Sequence, residues 1–182
     1  KPTQEGLYRH FMTVAEATEL PVVLYNVPGR SGIPINIDTI IRLRQANPLI
    51  AAVKEAAGSA ERVSAILDGC DITVLSGDDA LTLPMMSVGA TGVVSVTSNL
   101  LPAEMSELVK LFEAGETRKA LELNRRLYPF FRDQFIETNP IPIKAAMAIC
   151  GLIKEEYRLP LCELSQAHRE KLTATLKGLK LI

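Results

Sequence analysis

The sequence predicts an α/β protein: a parallel sheet built from consecutive βα units, followed by a helical C-terminal subdomain. Two observations carry this. Between Gly6 and Val96, short and nearly continuous apolar runs alternate with amphipathic helical stretches. Strands that are apolar throughout are buried on both faces, the pattern of a parallel sheet covered by helices. After Asn99 only helical patterns remain, which places a βα part at residues 1–99 and a helical part at 100–182.

The elements follow in order. Leu7, Phe11, Met12, Val14 and Ala15 recur at helical spacing between Gly6 and Thr18, and Leu20 to Tyr25 reads as a short buried strand. Asn36 or Asp38 caps a helix through Ile40, Ile41 and Leu43, and Leu49 to Val53 forms the next apolar run. Ser59 caps Ala60 to Leu67, and Ile72 to Leu75 is a strand. Asp78 and Asp79 then open a helix, and Gly92 to Val96 is a fourth strand. The helices beyond are Pro102 to Ala114, Thr117 to Phe135, Ile143 to Ile153 and Ser165 to Lys177, interrupted around Pro140 and Pro142 and at Pro160. Four βα units suit either part of an open doubly wound sheet or half of an eight-stranded barrel, and periodicity does not choose between them. A full barrel takes about 250 residues, so a barrel reading implies that part of it lies outside this sequence.

Composition narrows the function. With a net charge of −1 and a pI near 6.2, the chain lacks the basic footprint that nucleic acid or an acidic membrane surface requires. No apolar stretch reaches the ~20 residues of a membrane span, and no charged-then-apolar leader opens the chain. Cys70, Cys150 and Cys162 are odd in number and widely spaced. They are expected to be reduced thiols of a cytoplasmic protein rather than a disulfide framework or a metal pair. No P-loop, GxGxxG or HExxH motif is present, so neither a nucleotide cofactor nor a metal is expected. His10 and His168 fall on separate predicted helices and are expected at the surface.

The chemistry gathers at the carboxyl ends of the predicted strands, where α/β folds bind their ligands. The run Ile50-Ala51-Ala52-Val53 leads straight into Lys54. A lysine walled by apolar side chains is disfavoured in its charged form, and only a neutral amine attacks a carbonyl. Lys54 is thus a candidate Schiff-base nucleophile, unless it simply ends the strand at the surface or pairs with Glu55. Tyr25 ends the preceding strand and offers a proton donor and acceptor, with a core aromatic as the alternative. Arg30 follows in a Pro- and Gly-punctuated loop read as mobile; its planar fork suits a carboxylate, with a solvated loop arginine as the alternative that the residue alone favours. Asp78 and Asp79 read as helix caps rather than paired catalytic acids. Gly77, without a Cβ, permits close approach of a ligand to the backbone.

Taken together, Tyr25-Asn26-Val27-Pro28-Gly29-Arg30-Ser31-Gly32, Lys54-Glu55-Ala56, Leu75-Ser76-Gly77-Asp78-Asp79, Gly92-Val93-Val94-Ser95-Val96 and Asn139-Pro140-Ile141-Pro142-Ile143-Lys144 resemble, in order and spacing, the dihydrodipicolinate synthase family of class I aldolases. The resemblance covers essentially the whole chain. It implies a (β/α)8 TIM barrel, represented here by its last four βα units plus a C-terminal helical subdomain. It also implies condensation of pyruvate with L-aspartate-4-semialdehyde in the diaminopimelate route to lysine. By resemblance Lys54 forms the pyruvate imine and Tyr25 shuttles protons. Arg30 binds the semialdehyde carboxylate, the backbone of Val94 lines the pyruvate pocket, and Gly77 sits beside the semialdehyde.

Two alternatives stand beside that expectation. N-acetylneuraminate lyase and the keto-deoxy sugar acid aldolases resemble the family in the tyrosine and lysine but usually lack an arginine at the position of Arg30. A non-catalytic half-barrel homologue is the other. The first half of the barrel is expected to lie upstream of Lys1. That half would carry early-strand threonines, a relay tyrosine donated across a dimer and most of a lysine feedback site, and four strands alone would leave open sheet edges. Relatives are commonly tetramers made of two tight dimers, with the helices after Ser59 and Asp79 as candidates for a dimer contact.

Overall fold

The computed structural model describes residues 1–182 and divides into two compact units, Lys1–Val94 and Ser95–Ile182. In the first, Thr3 accepts the Gly6 amide and opens α1 (Gln4–Glu16). There follow β1 (Val22–Asn26), the single turn α2 (Pro28–Ser31), α3 (Ile37–Ala46), β2 (Ile50–Glu55), α4 (Ala60–Gly69) and β3 (Thr73–Ser76). A short 3₁₀ turn (Asp79–Leu81) leads into α5 (Thr82–Met86). Two of the expected caps are in place: Ser59 accepts the Arg62 amide at 3.4 Å and Asp78 the Ala80 amide at 2.9 Å. Asn36 stands at the N-cap of α3 without a side-chain capping bond, and Asp38 lies within its first turn.

The sheet has three strands, all parallel, in the order β1-β2-β3. Its register aligns Leu24 with Val53 and Val74, Tyr25 with Lys54 and Leu75, and Asn26 with Glu55 and Ser76. Side chains alternate between faces with period two, so these three rows point alternately to opposite sides. The Leu24 row packs into a core with Ala15 of α1, Ile40 and Leu43 of α3, Val63 and Ile66 of α4 and Met85 of α5, all fully buried. The other face carries Val23, 50% exposed, and Tyr25, 43% exposed. Within this chain, then, the second face is covered only in part: Ala52 is buried there while Val23 and Tyr25 stay open, less than the burial on both faces that their composition suggests.

Each strand runs past its expected end into a polar residue: Asn26, Glu55 and Ser76 in turn. These three form one register row and are almost completely buried, a stretch that a hydrophobicity pattern reads as the start of a loop. The expected fourth strand at Gly92–Val96 is instead a single bridge between Ser76 and Val93. Thr91 donates to Val74, Gly92 accepts from Ser76 and Val94 donates to Ser76, at 2.9, 2.8 and 2.8 Å. Pairing stops there because β3 is only four residues long and the next amide, Gly77, turns back to the Glu55 carbonyl at 2.7 Å.

The second unit is helical: a 3₁₀ turn (Thr97–Asn99), α6 (Pro102–Glu113), α7 (Thr117–Asp133), α8 (Ile141–Ile149) and α9 (Gln166–Gly178). Helix α7 packs against α6 and α9, and α8 against α9. Their shared apolar faces bury Leu108, Leu127, Phe130, Phe131, Ala145, Ala146, Leu172 and Leu176. Pro142 lies inside the first turn of α8 rather than ahead of it, where its missing N–H costs nothing. The helix ends before Gly151, whose φ of 74° no longer continues it. His168 is not a bare surface histidine, because its Nδ1 lies 2.7 Å from Glu137 Oε1. No helix is long and apolar enough to cross a membrane.

At the end of α7 the buried Asp133 accepts two hydrogen bonds from Arg132, at 2.7 and 2.9 Å, and one from Thr175 of α9 at 2.6 Å. Lys171 Nζ stands 3.5 Å away. Burial opposes the charge, but the Arg132 and Thr175 hydrogen bonds outweigh it and hold the carboxyl below its ordinary pKa. A depressed folded-state pKa contributes stability that is present above the unfolded value and lost as pH falls through the folded one. Asp133→Asn is therefore expected to be less stable at neutral pH and to lose less further stability on acidification than the unsubstituted chain, as read by urea titrations across that range.

Candidate active site

Four of the five residues singled out from the sequence lie at the carboxyl edge of the sheet. Tyr25 and Lys54 are paired in register on adjacent strands and share a face. Lys54 Nζ stands 4.0 Å over the centroid of the Tyr25 ring, an arrangement that attracts a cation to the ring face. Lys54 is half-buried and does not pair with Glu55, which points to the opposite face. Gly77 follows β3, and Val94 lies one residue past the bridge to Ser76, 40% exposed. An amine, a phenol and two backbone segments thus meet where neighbouring strands end, a suitable setting for nucleophilic attack on a carbonyl and for proton transfer around it.

Arg30 is exposed and sits on α2, a helical turn rather than the open loop that its proline and glycines suggest. Pro28 occupies the first helical position, where its fixed φ favours the turn. Gly32 closes it with φ 77°, a left-handed conformation suited to glycine. Ser31 Oγ donates to the carbonyls of Val27 and Ile33 at 3.1 and 2.7 Å, which stitches the segment to itself.

The sequence reading missed a buried polar group directly behind this edge. Glu55 is 0% exposed, and Asn26 is 1% exposed. Asn26 Nδ2 donates to both Glu55 oxygens at 2.8 Å, and Glu55 also accepts the Ala57 amide at 2.8 Å and Arg62 Nε at 3.2 Å. Asn26 Oδ1 accepts the Ile35 amide, and Arg62 Nη2 donates to the Ile35 carbonyl, both at 2.9 Å. One signal for it was available: a polar residue immediately follows each of Tyr25 and Lys54 on successive strands.

A family model described as the dihydrodipicolinate synthetase family matches residues 1–179. The chain belongs to that family. It is 48% identical to the 4-hydroxy-tetrahydrodipicolinate synthase of Thermodesulfovibrio yellowstonii, over 100% of this chain and 63% of that protein. Among solved structures, it matches a dihydrodipicolinate synthase at TM-score 0.98 and 46% identity, covering 100% of this chain and 63% of the other. The chloride-inhibited dihydrodipicolinate synthase from Acinetobacter baumannii complexed with pyruvate matches at TM-score 0.95 and 42% identity, again covering 100% and 63%. The chain thus spans about 63% of these relatives' length, their C-terminal part. Its parallel βα units are a section of a TIM barrel, followed by a helical part.

Family membership does not by itself say why Gly77 carries no side chain. A Cβ at that position would lie 2.5 Å from Ala56 Cβ and 3.1 Å from the Glu55 carbonyl oxygen. The glycine lets β3 turn tightly against the end of β2. Gly77→Ala forces these backbones apart and is expected to destabilise the first unit by ~1–3 kcal/mol, measured as a lowered urea midpoint.

Proposed function

We propose that this chain is the C-terminal part of a 4-hydroxy-tetrahydrodipicolinate synthase, in which Lys54 forms a Schiff base with pyruvate for condensation with L-aspartate-4-semialdehyde. The observation that carries the reading is the registered Tyr25–Lys54 pair at the carboxyl edge of a parallel sheet, in a chain so similar to proteins of that name.

In this reading the neutral Lys54 amine adds to the pyruvate keto carbon. The carbinolamine loses water to give the imine, and loss of a methyl proton gives the enamine that attacks the semialdehyde. Tyr25 carries protons during dehydration and after carbon–carbon bond formation. Arg30 presents its fork to the semialdehyde carboxylate, the backbone at Val94 lines the pyruvate pocket, and Gly77 borders the incoming semialdehyde. No cofactor or metal enters these steps. Residues 1–99 act as the C-terminal half of the barrel, and residues 100–182 as its last helix and helical subdomain. The partly exposed sheet face that bears Val23 and Tyr25 becomes the barrel interior, and the remaining strands pair at the open edges of the sheet. The completed protein works in the cytoplasm as a homotetramer of two dimers.

The test uses a fusion that joins this chain to the part of the Thermodesulfovibrio yellowstonii relative that it does not match. Borohydride in the presence of pyruvate is expected to leave a reduced adduct on the peptide containing Lys54, seen by mass spectrometry and abolished in Lys54→Ala. An unmodified Lys54 peptide would overturn the Schiff-base reading. Arg30→Ala is expected to raise the KM for aspartate semialdehyde by about ten- to a hundredfold, the weight of a charge-assisted hydrogen bond, with little change in adduct yield. Turnover of N-acetylmannosamine in preference to aspartate semialdehyde would transfer the site to the sugar-acid aldolases.

A further inference from the structure

Glu55 sits in an unusual place. A carboxylate with no exposed surface is stable only when its oxygens are fully hydrogen-bonded, and a buried ion pair adds little net stability over apolar residues of the same size. Stability alone is thus a weak reason for an ionised group at the end of an apolar strand, one residue after Lys54. Its partners point to another reason. They come from three different segments around the site: β1 through Asn26, the turn after β2 through Ala57, and α4 through Arg62.

The hydrogen bonds close into a ring. Asn26 donates to Glu55, Glu55 accepts from Arg62, Arg62 donates to the Ile35 carbonyl, and the Ile35 amide donates back to Asn26. The stretch between Asn26 and Ile35 is the segment that bears Arg30. It is internally bonded: Arg30 and Ser31 amides donate to Val27, Gly32 donates to Pro28, and Ser31 Oγ bridges Val27 and Ile33. A segment that is stiff within itself and held at both ends takes its orientation from those ends. One end is the residue after Tyr25; the other is held by the residue after Lys54 through Arg62 and, from α1, by Gln4, which donates to the Pro34 carbonyl at 3.0 Å and accepts the Asn36 amide at 2.9 Å.

We propose that Asn26, Glu55 and Arg62 are positioning residues that set the Arg30-bearing turn at a fixed distance from the Tyr25–Lys54 pair. The proposal rests on the reading that Arg30 and Lys54 serve the two substrates of one condensation. Asn26 and Glu55 point away from Tyr25 and Lys54 because side chains alternate along a strand. They therefore act on the site through backbone placement and not by touching substrate. The sharpest consequence falls on the co-substrate: loosening the ring displaces Arg30 while leaving the lysine on its strand.

Arg62→Met in the completed fusion keeps the aliphatic stem and removes the donors to Glu55 and Ile35. The KM for aspartate semialdehyde is expected to rise about tenfold, the effect of losing hydrogen bonds to a charged group, while pyruvate adduct formation under borohydride stays within about twofold of the unsubstituted protein. In an Arg30→Ala background the same substitution is expected to change that KM by less than about twofold, because residues acting through one another are non-additive. Faster hydrogen exchange at the Ile35 amide accompanies the change. Glu55→Gln, isosteric and expected to give the same KM and exchange signature, serves if Arg62→Met does not fold. An unchanged KM, or a tenfold rise that persists in the Arg30→Ala background, overturns the positioning role while leaving the aldolase reading intact. Failure of the unsubstituted fusion to form any adduct overturns the aldolase reading and this assignment with it.

Discussion

The buried carboxylate of Glu55 is the constraint on which the carboxyl edge of the sheet depends. An ionised group removed from water must find its donors within the protein, and no single element supplies enough of them. The side chain of Asn26, the amide of Ala57 and the guanidinium of Arg62 converge on it. Ile35 is drawn in because both Asn26 and Arg62 have further bonds to make. Satisfying one carboxylate therefore brings together the ends of two strands, the start of a helix and the far end of the Arg30 segment.

The placement of Lys54 follows from the same constraint. Strand periodicity is two, so burying Glu55 on the helix side commits Lys54 to the opposite face, and a register slip of one residue would exchange them. The register that aligns Asn26 with Glu55 also aligns Tyr25 with Lys54. The polar row and the row that bears the candidate chemistry are thus two readings of one pairing. The site face is the more exposed of the two, with Val23 and Tyr25 open, in a chain that spans about 63% of the length of its relatives.

The helical unit is organised on simpler terms. Its helices meet through apolar faces, and Asp133 is the main polar link, joining α7 to α9 through Thr175 and Lys171. Both units place a buried acid where helices or strands must be held in register with one another. In the first unit that acid stands behind the candidate site. In the second it joins two helices.

The sequence by itself determined the kind of fold and the identity of the candidate chemical groups. Apolar runs such as Ile50–Val53 and caps such as Ser59 and Asp78 are local signals, and they appear in the structure where the residues imply them. The motifs around Tyr25, Lys54 and Asn139 were specific enough to point to the family. Only the tertiary structure decided that the strands extend into Asn26, Glu55 and Ser76, that the Arg30 segment is a helical turn, that Gly92–Val96 contributes one bridge and not a strand, and that Glu55 pairs with Arg62 and not with Lys54. Each of these turns on where a polar group finds its partner. Hydrophobic periodicity is written along the chain, whereas the bond from Asn26 to Glu55 spans 29 positions and the bond from Arg62 to Ile35 spans 27, distances over which no local pattern carries information.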